Sequence, residues 1–149
     1  MLKRTEVIVA SAVLALVMYT MGLSVLASFQ ASRTVSNTGS VKTVGVGVYW
    51  DSGCTSPVSS IPWGMLDPGS RKNVTCYIRN EGNSVSTLSM YTSNWNPSSA
   101  SSYITLSWNY GGQSISPGGV VKVTFTLSIS ASINGITSFS FDITIIGSG

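Results

Sequence analysis

Apolar and polar residues alternate along most of this chain, as they do in strands that bury one face. The clearest example runs from Val121 to Ser130, where apolar side chains alternate with lysine, threonine and serine. The apolar faces with this period of two are Val44-Val46-Val48-Trp50, Val74-Cys76-Ile78, Leu88-Met90, Ile104-Leu106-Trp108-Tyr110, Val121-Val123-Phe125-Leu127-Ile129 and Phe139-Phe141-Ile143-Ile145. No helical period follows residue 33, so the pattern predicts an all-β body.

Turn sequences separate these segments. Asp67-Pro68-Gly69 and Ser116-Pro117-Gly118 are strong turn signals, because proline presets φ and glycine accepts a positive φ. Strands that recur every 8–12 residues or so between turns are typical of antiparallel sandwiches. We therefore expect an antiparallel β-sandwich of about seven strands.

The first 30 residues differ from the rest. Lys3 and Arg4 precede an uncharged, mostly apolar stretch from Val7 to Gln30, the layout of a signal peptide or a transmembrane helix. It is either cleaved near Ala27, kept as an anchor, or kept as a pilin-type helix in a filament core. Because Lys3 and Arg4 are expected to stay on the cytoplasmic side of the membrane, the part of the chain that follows is exported to the cell surface or beyond. The expected domains are residues 1–30 as signal peptide or transmembrane helix, 31–43 as linker or donor strand, and 44–149 as sandwich.

The residue inventory argues against catalysis. The chain has no histidine, and its five acidic residues are scattered singly, so the usual nucleophile–base pairs and the commonest metal ligand are missing. No phosphate-binding or calcium-binding loop is present. We predict a protein that is not an enzyme and has no cofactor, metal or small-molecule substrate. The net charge of +3 is spread thinly, which also argues against nucleic acid as a partner.

Several residues are candidates for modification or binding. Cys54 and Cys76 suit an exported protein, and a disulfide between them would close a loop of about 20 residues and stabilise by roughly 3 kcal/mol. The alternative is a pair of free buried thiols. Asn73 begins an Asn-Val-Thr sequon and points outward in its predicted strand, so it is a glycosylation candidate. Trp63 and Trp95 are either sugar-binding or core aromatics.

The segment Arg33–Thr43 (RTVSNTGSVKT) follows the apolar stretch and precedes the first clear strand. Its threonines and valines favour extended backbone, but it has too few large apolar residues to hold its own place in a core. It is either a linker or a donor strand that adds to the open sheet edge of the next subunit. Head-to-tail addition of this kind does not close and generates a filament. The candidate donor residues are Arg33, Thr34, Val35, Asn37, Gly39, Val41 and Thr43.

Four short motifs carry a resemblance to a known family. They are Val44–Asp51 (VGVGVYWD), Ile61–Gly64 (IPWG), Leu66–Gly69 (LDPG) and Tyr77–Asn80 (YIRN). Over about residues 33–147 the chain resembles archaeal surface β-sandwich proteins that include the subunits of bundling pili. These are similar in turn to the bacterial TasA and camelysin fibre proteins. The resemblance implies a jelly-roll-like sandwich whose N-terminal strand, here within Arg33–Thr43, completes a neighbouring subunit.

The expected function is therefore that of a structural subunit of a cell-surface filament, a pilus or biofilm fibre, whose partner is the next copy of itself. The long N-terminal apolar segment departs from that family, and it makes the membrane a second partner. One alternative is a membrane-anchored sandwich that binds another surface protein or a glycan. Another is a type IV-like pilin, although Arg4-Thr5-Glu6 matches the processing site of such pilins poorly.

Overall fold

The computed structural model describes residues 35–149. The apolar N-terminal segment with its alternative fates, and the donor candidates Arg33 and Thr34, lie outside these residues. The described chain forms eight strands: β1 Val35–Val44, β2 Val46–Tyr49, β3 Ser60–Leu66, β4 Arg71–Asn80, β5 Thr87–Asn96, β6 Ile104–Trp108, β7 Val120–Ile129 and β8 Ser138–Ser148. One short 3₁₀ helix, Ser98–Ser102, joins β5 to β6.

The strands form two four-stranded sheets. The first has the order β3-β1-β8-β5 and the second β2-β4-β7-β6. The all-β prediction is confirmed for the described residues. The expectation of purely antiparallel pairing is wrong at one place, because β1 runs parallel to β8. Parallel neighbouring strands need a long connection between them. Here the connection from β1 to β8 consists of the six strands in between.

The core lies between the two sheets and is built from the inward faces that the period of two predicted. β7 contributes Val123, Phe125, Leu127 and Ile129, and all four are buried. β8 contributes Phe139, Phe141, Ile143 and Ile145, which are buried as well. Trp63 is fully buried, and Trp95 stacks on Phe141 with ring centroids 4.2 Å apart. The tryptophans are therefore part of the packing, as one of the two interpretations expected.

Two elements differ from the sequence prediction. β3 was not expected, since Pro62 and Gly64 interrupt its pattern, but β3 lies at the edge of its sheet, where proline is tolerated. The segment expected to be a linker or a donor is β1, which lies inside its own chain's sheet. Among the described residues, the paired strands therefore begin at Val35, ahead of residue 44.

A single residue, Gly45, joins β1 to β2 and carries the chain from one sheet to the other. Its φ is +72°, a left-handed backbone conformation that residues other than glycine rarely adopt. Its carbonyl accepts a hydrogen bond from the Glu81 N–H at 3.2 Å.

Within residues 35–149, no helix has both the length and the apolar character that crossing a membrane requires.

Candidate functional site: the slot that holds the N-terminal strand

β1 lies between β3 and β8, which have no pairing with each other in the described sheets. We call the space between β3 and β8 the slot. β1 pairs along six residues with β3 and along nine with β8. Because neighbouring strands lie about 4.8 Å apart, the slot is one strand wide. Whatever fills it completes the sheet with main-chain hydrogen bonds on both sides.

The inward face of β1 contributes little to the core. Asn37 and Gly39 are buried, Val41 is half-buried and Thr43 is exposed. Of these four residues, Val41 alone has an aliphatic side chain, and it packs against the core. Full burial of a valine side chain contributes about 1.5–3 kcal/mol at most. The strand is therefore held mainly by its backbone, unlike β8 on its other side.

Gly39 lies directly over three large core side chains. A β-carbon at this position would lie 3.1 Å from Trp63 Nε1, 3.2 Å from Ile143 Cδ1 and 3.6 Å from Phe141 Cζ. Trp63 and Ile143 are fully buried and Phe141 is 2% exposed, so none of them can move aside into solvent. A side chain at position 39 would require these buried neighbours to shift by a few tenths of an ångström.

A β-bulge in β3 places Trp63 at this contact. Asn37 pairs with Gly64 but Thr38 pairs with Pro62, so Trp63 is an extra residue on β3. Gly64 has a φ of +71°, as glycine commonly does in such bulges. The bulge turns Trp63 into the core while Gly64 and Met65 remain exposed.

The structure accounts for the candidate donor residues as follows. Those within residues 35–149 all lie in β1, inside the slot of their own chain. They are Val35, Asn37, Gly39, Val41 and Thr43. That a second copy can supply this strand stays a prediction.

Asn73, the glycosylation candidate, lies in β4 and is exposed. It pairs across the sheet with Thr126 of β7. Its exposure is what attachment of a glycan requires, and occupancy by a glycan stays a prediction.

The disulfide expected between Cys54 and Cys76 is not formed in the structure, where both are free thiols. Cys76 points from β4 into the core and is fully buried, and this burial raises the pKa of its thiol to about 11. Cys54 lies in the turn after β2, within electrostatic range of Tyr49 and Arg79. Those two side chains alternate with buried residues and so face outward. Cys54 is therefore near the outer side chains of the second sheet, whereas Cys76 lies in the core.

The turn that contains Cys54 is organised by Asp51. Its carboxylate accepts hydrogen bonds from the backbone N–H of Ser56 at 2.7 Å and of Thr55 at 3.1 Å. These bonds, with Ser56 contributing most, hold the pKa of Asp51 below its ordinary value. The bonds span Cys54, whose backbone is left-handed with a φ of 55°.

The sequence reasoning missed a cluster on the outer face of the second sheet. Arg79 forms an ion pair with Glu81 at 2.9 Å and lies over the Tyr49 ring, 5.0 Å from its centroid. Tyr49 also donates a hydrogen bond to Glu81, which lowers the pKa of Glu81 and raises that of Tyr49. The cluster links β2 to the end of β4. The antiparallel pairing of β2 with β4 brings its members together, and the sequence does not reveal this pairing.

No protein-family model matches this chain in a scan of such models. A search of curated proteins likewise finds no match.

Proposed function

We propose that this protein is a structural subunit of a cell-surface filament in which β1 of one copy fills the slot of the next. The observation that carries the proposal is the way β1 is held. It pairs with β3 along six residues and with β8 along nine, yet its described inward side chains anchor it weakly in the core. Such a strand is specific for the slot and is not tied to its own chain by packing.

Exchange of β1 conserves its backbone hydrogen bonds and requires few side-chain contacts to be broken on the way. A backbone hydrogen bond contributes about 0.5–1.5 kcal/mol net, and β1 makes the same bonds in the slot of any copy. The contribution of these bonds is therefore the same whether β1 lies in its own slot or in the slot of another copy. The free-energy difference between the two arrangements depends on the conformation at Gly45 and on the contact between subunit bodies.

The connection at Gly45 suits a hinge. It is one residue long, and its left-handed φ bends the chain from β1 into β2. Rotation of that residue to extended backbone would carry β1 away from its own slot as a continuation of β2. Hinges in proteins are commonly a few residues that absorb such a change.

The surface is compatible with close packing of identical subunits. Only 9% of residues are charged, so copies approach one another with little electrostatic repulsion. The resemblance to bundling pili and to TasA-like fibre proteins supports the same function. The proposal includes three further features: a jelly-roll-like topology, export of the body, and a signal or anchor function for the apolar N-terminal segment.

A cysteine pair across β1 and β3 tests the exchange. Ser40 and Ser60 are directly paired, and a spacing of about 4.8 Å between strands suits a disulfide. Ser40→Cys/Ser60→Cys would be made in a Cys54→Ser background of the full-length chain and recovered from the cell surface. After oxidation, the protein is separated on a denaturing gel without reductant.

Strand exchange along a filament should give a covalent ladder of many subunits, and the single variant Ser40→Cys should not. Monomers with an internal bond would refute the proposal and leave an anchored binding module. A product that stops at the dimer would indicate reciprocal exchange in a closed pair, and it would refute the filament. The intact mass separates the remaining alternative, because a start before about residue 10 indicates a retained helix.

A further inference from the structure

We infer that Gly39 sets the register of the strand in the slot, and that the slot accepts only an extended segment with a glycine over Trp63. A second copy of this chain's own β1, Val35–Val44, meets this requirement. For the filament the inference rests on the proposed exchange. The register rule itself applies to whichever copy supplies the strand.

The usual determinant of register is weak in β1. A strand normally keeps its register because a slip moves its apolar side chains off the core. The described inward residues of β1 are Asn37, Gly39, Val41 and Thr43, which offer one aliphatic side chain to the core. Something other than an apolar pattern must therefore hold the strand in place.

The surface below the strand provides that determinant as a steric restriction. Trp63 from β3 and Phe141 and Ile143 from β8 converge under Gly39, with two of their atoms within 3.2 Å of where a β-carbon would sit. Real β-carbon contacts are rarely this close. The position accepts glycine, and a larger residue must displace side chains that are 98% or more buried.

A slip of two residues in either direction puts a side chain at this position. It would bring Asn37 or Val41 over Trp63, since these residues flank Gly39 on the same face. Gly39 is the only glycine in β1. The bulge at Trp63 acts from the other side, because a bulge admits one alignment of the two strands. Glycine and bulge together define a single register.

The rule also identifies what the slot excludes. A strand without glycine, such as β7 of the same chain, would place a side chain over Trp63 in every register. The slot is therefore protected from such strands of neighbouring copies. It selects a strand of small and polar inward residues with one central glycine.

Moving the glycine tests the rule. In Asn37→Gly/Gly39→Val, the glycine sits two residues earlier, so β1 should slip by two residues and leave two residues of slack before Gly45. Thr38 would then face Ser60. We expect oxidation to bond Thr38→Cys with Ser60→Cys in this variant, whereas the parent protein bonds Ser40→Cys with Ser60→Cys.

A milder variant covers the case in which the double substitution does not fold. Gly39→Ala should lower the yield of the Ser40–Ser60 bond several-fold, and Ile143→Val should restore part of it by deleting the Cδ1 atom, while the contact with Trp63 Nε1 remains. Thr38→Val, at an exposed position of the same strand, is the control and should leave the yield unchanged. All variants are made in the full-length Cys54→Ser chain.

The two readouts are independent. Which cysteine pair forms tests the register, and whether the bond lies within one chain or between chains tests the exchange. The inference is overturned if the relocated glycine leaves the Ser40–Ser60 bond intact, or if Gly39→Ala and Thr38→Val give equal yields. Correct register in bonds that lie within single chains would uphold the rule and reject the filament.

Discussion

Replacing Gly45 by alanine should weaken the single-chain fold and promote strand exchange. At a φ of +72°, a residue other than glycine costs roughly 1–2 kcal/mol. The added β-carbon would meet only the Gly147 carbonyl oxygen, at 3.4 Å, which is an ordinary contact. The left-handed backbone therefore accounts for most of the cost.

The exchanged form should not carry this cost. If Gly45 becomes extended when β1 leaves its own slot, alanine is accommodated there without strain. The equilibrium should then move toward exchange by about 1–2 kcal/mol, or roughly 5- to 30-fold. The assembled fraction is measured by analytical ultracentrifugation at fixed protein concentration, and the free energy of unfolding of the monomer by denaturant titration.

Gly135→Ala is the matched control. Gly135 also has a φ of +72° and would place its β-carbon in open space, but it lies in the loop between β7 and β8. Both substitutions should lower the free energy of unfolding by similar amounts, and only Gly45→Ala should raise the assembled fraction. Equal assembled fractions in the two variants would refute the hinge at Gly45.

Two further predictions concern the cysteines and the turn at Asp51. In the native protein at about pH 8, a maleimide should label Cys54 and spare Cys76. The reason is that Cys76 is buried and the pKa of its thiol is raised to about 11. If neither cysteine is labelled in unfolded, unreduced protein, the disulfide is present and the prediction is wrong. The pKa of Asp51 is lower in the folded protein than in the unfolded chain. The ionised carboxylate therefore stabilises the fold at pH values above the unfolded pKa of about 4, and this contribution is lost as the pH falls through the folded pKa. Asp51→Asn should therefore flatten the acid loss of stability in denaturant titrations from about pH 6 to pH 2, and an unchanged slope would contradict the assignment.

Much of the strand content could be predicted because the period of two is a local signal. The segments around Phe125 and Phe141 alternate so regularly that their buried faces were predicted residue by residue. β3 was missed because Pro62 and Gly64 are poor strand residues. Its position at a sheet edge and its bulge, which make them acceptable, are properties of the assembled sheet.

The candidate site was recognised in part. The composition of residues 33–43 already showed a segment suited to extended backbone and poorly suited to a core. The importance of Gly39 could not be predicted, because it depends on Trp63, which lies 24 positions away in the printed sequence, and on Ile143 near the other end of the chain. The positions of the two cysteines could be predicted only in part, since strand phase places Cys76 in the core but does not place Cys54, which lies in a turn.

The sequence by itself determined which residues are extended and which face of each strand is apolar, because neighbouring side chains on a strand point to opposite sides whatever lies beyond them. Only the tertiary structure decided that β1 lies between β3 and β8, that it runs parallel to the last strand, and that its glycine covers a tryptophan. These features arise from contacts between residues far apart in the chain, which no local periodicity encodes.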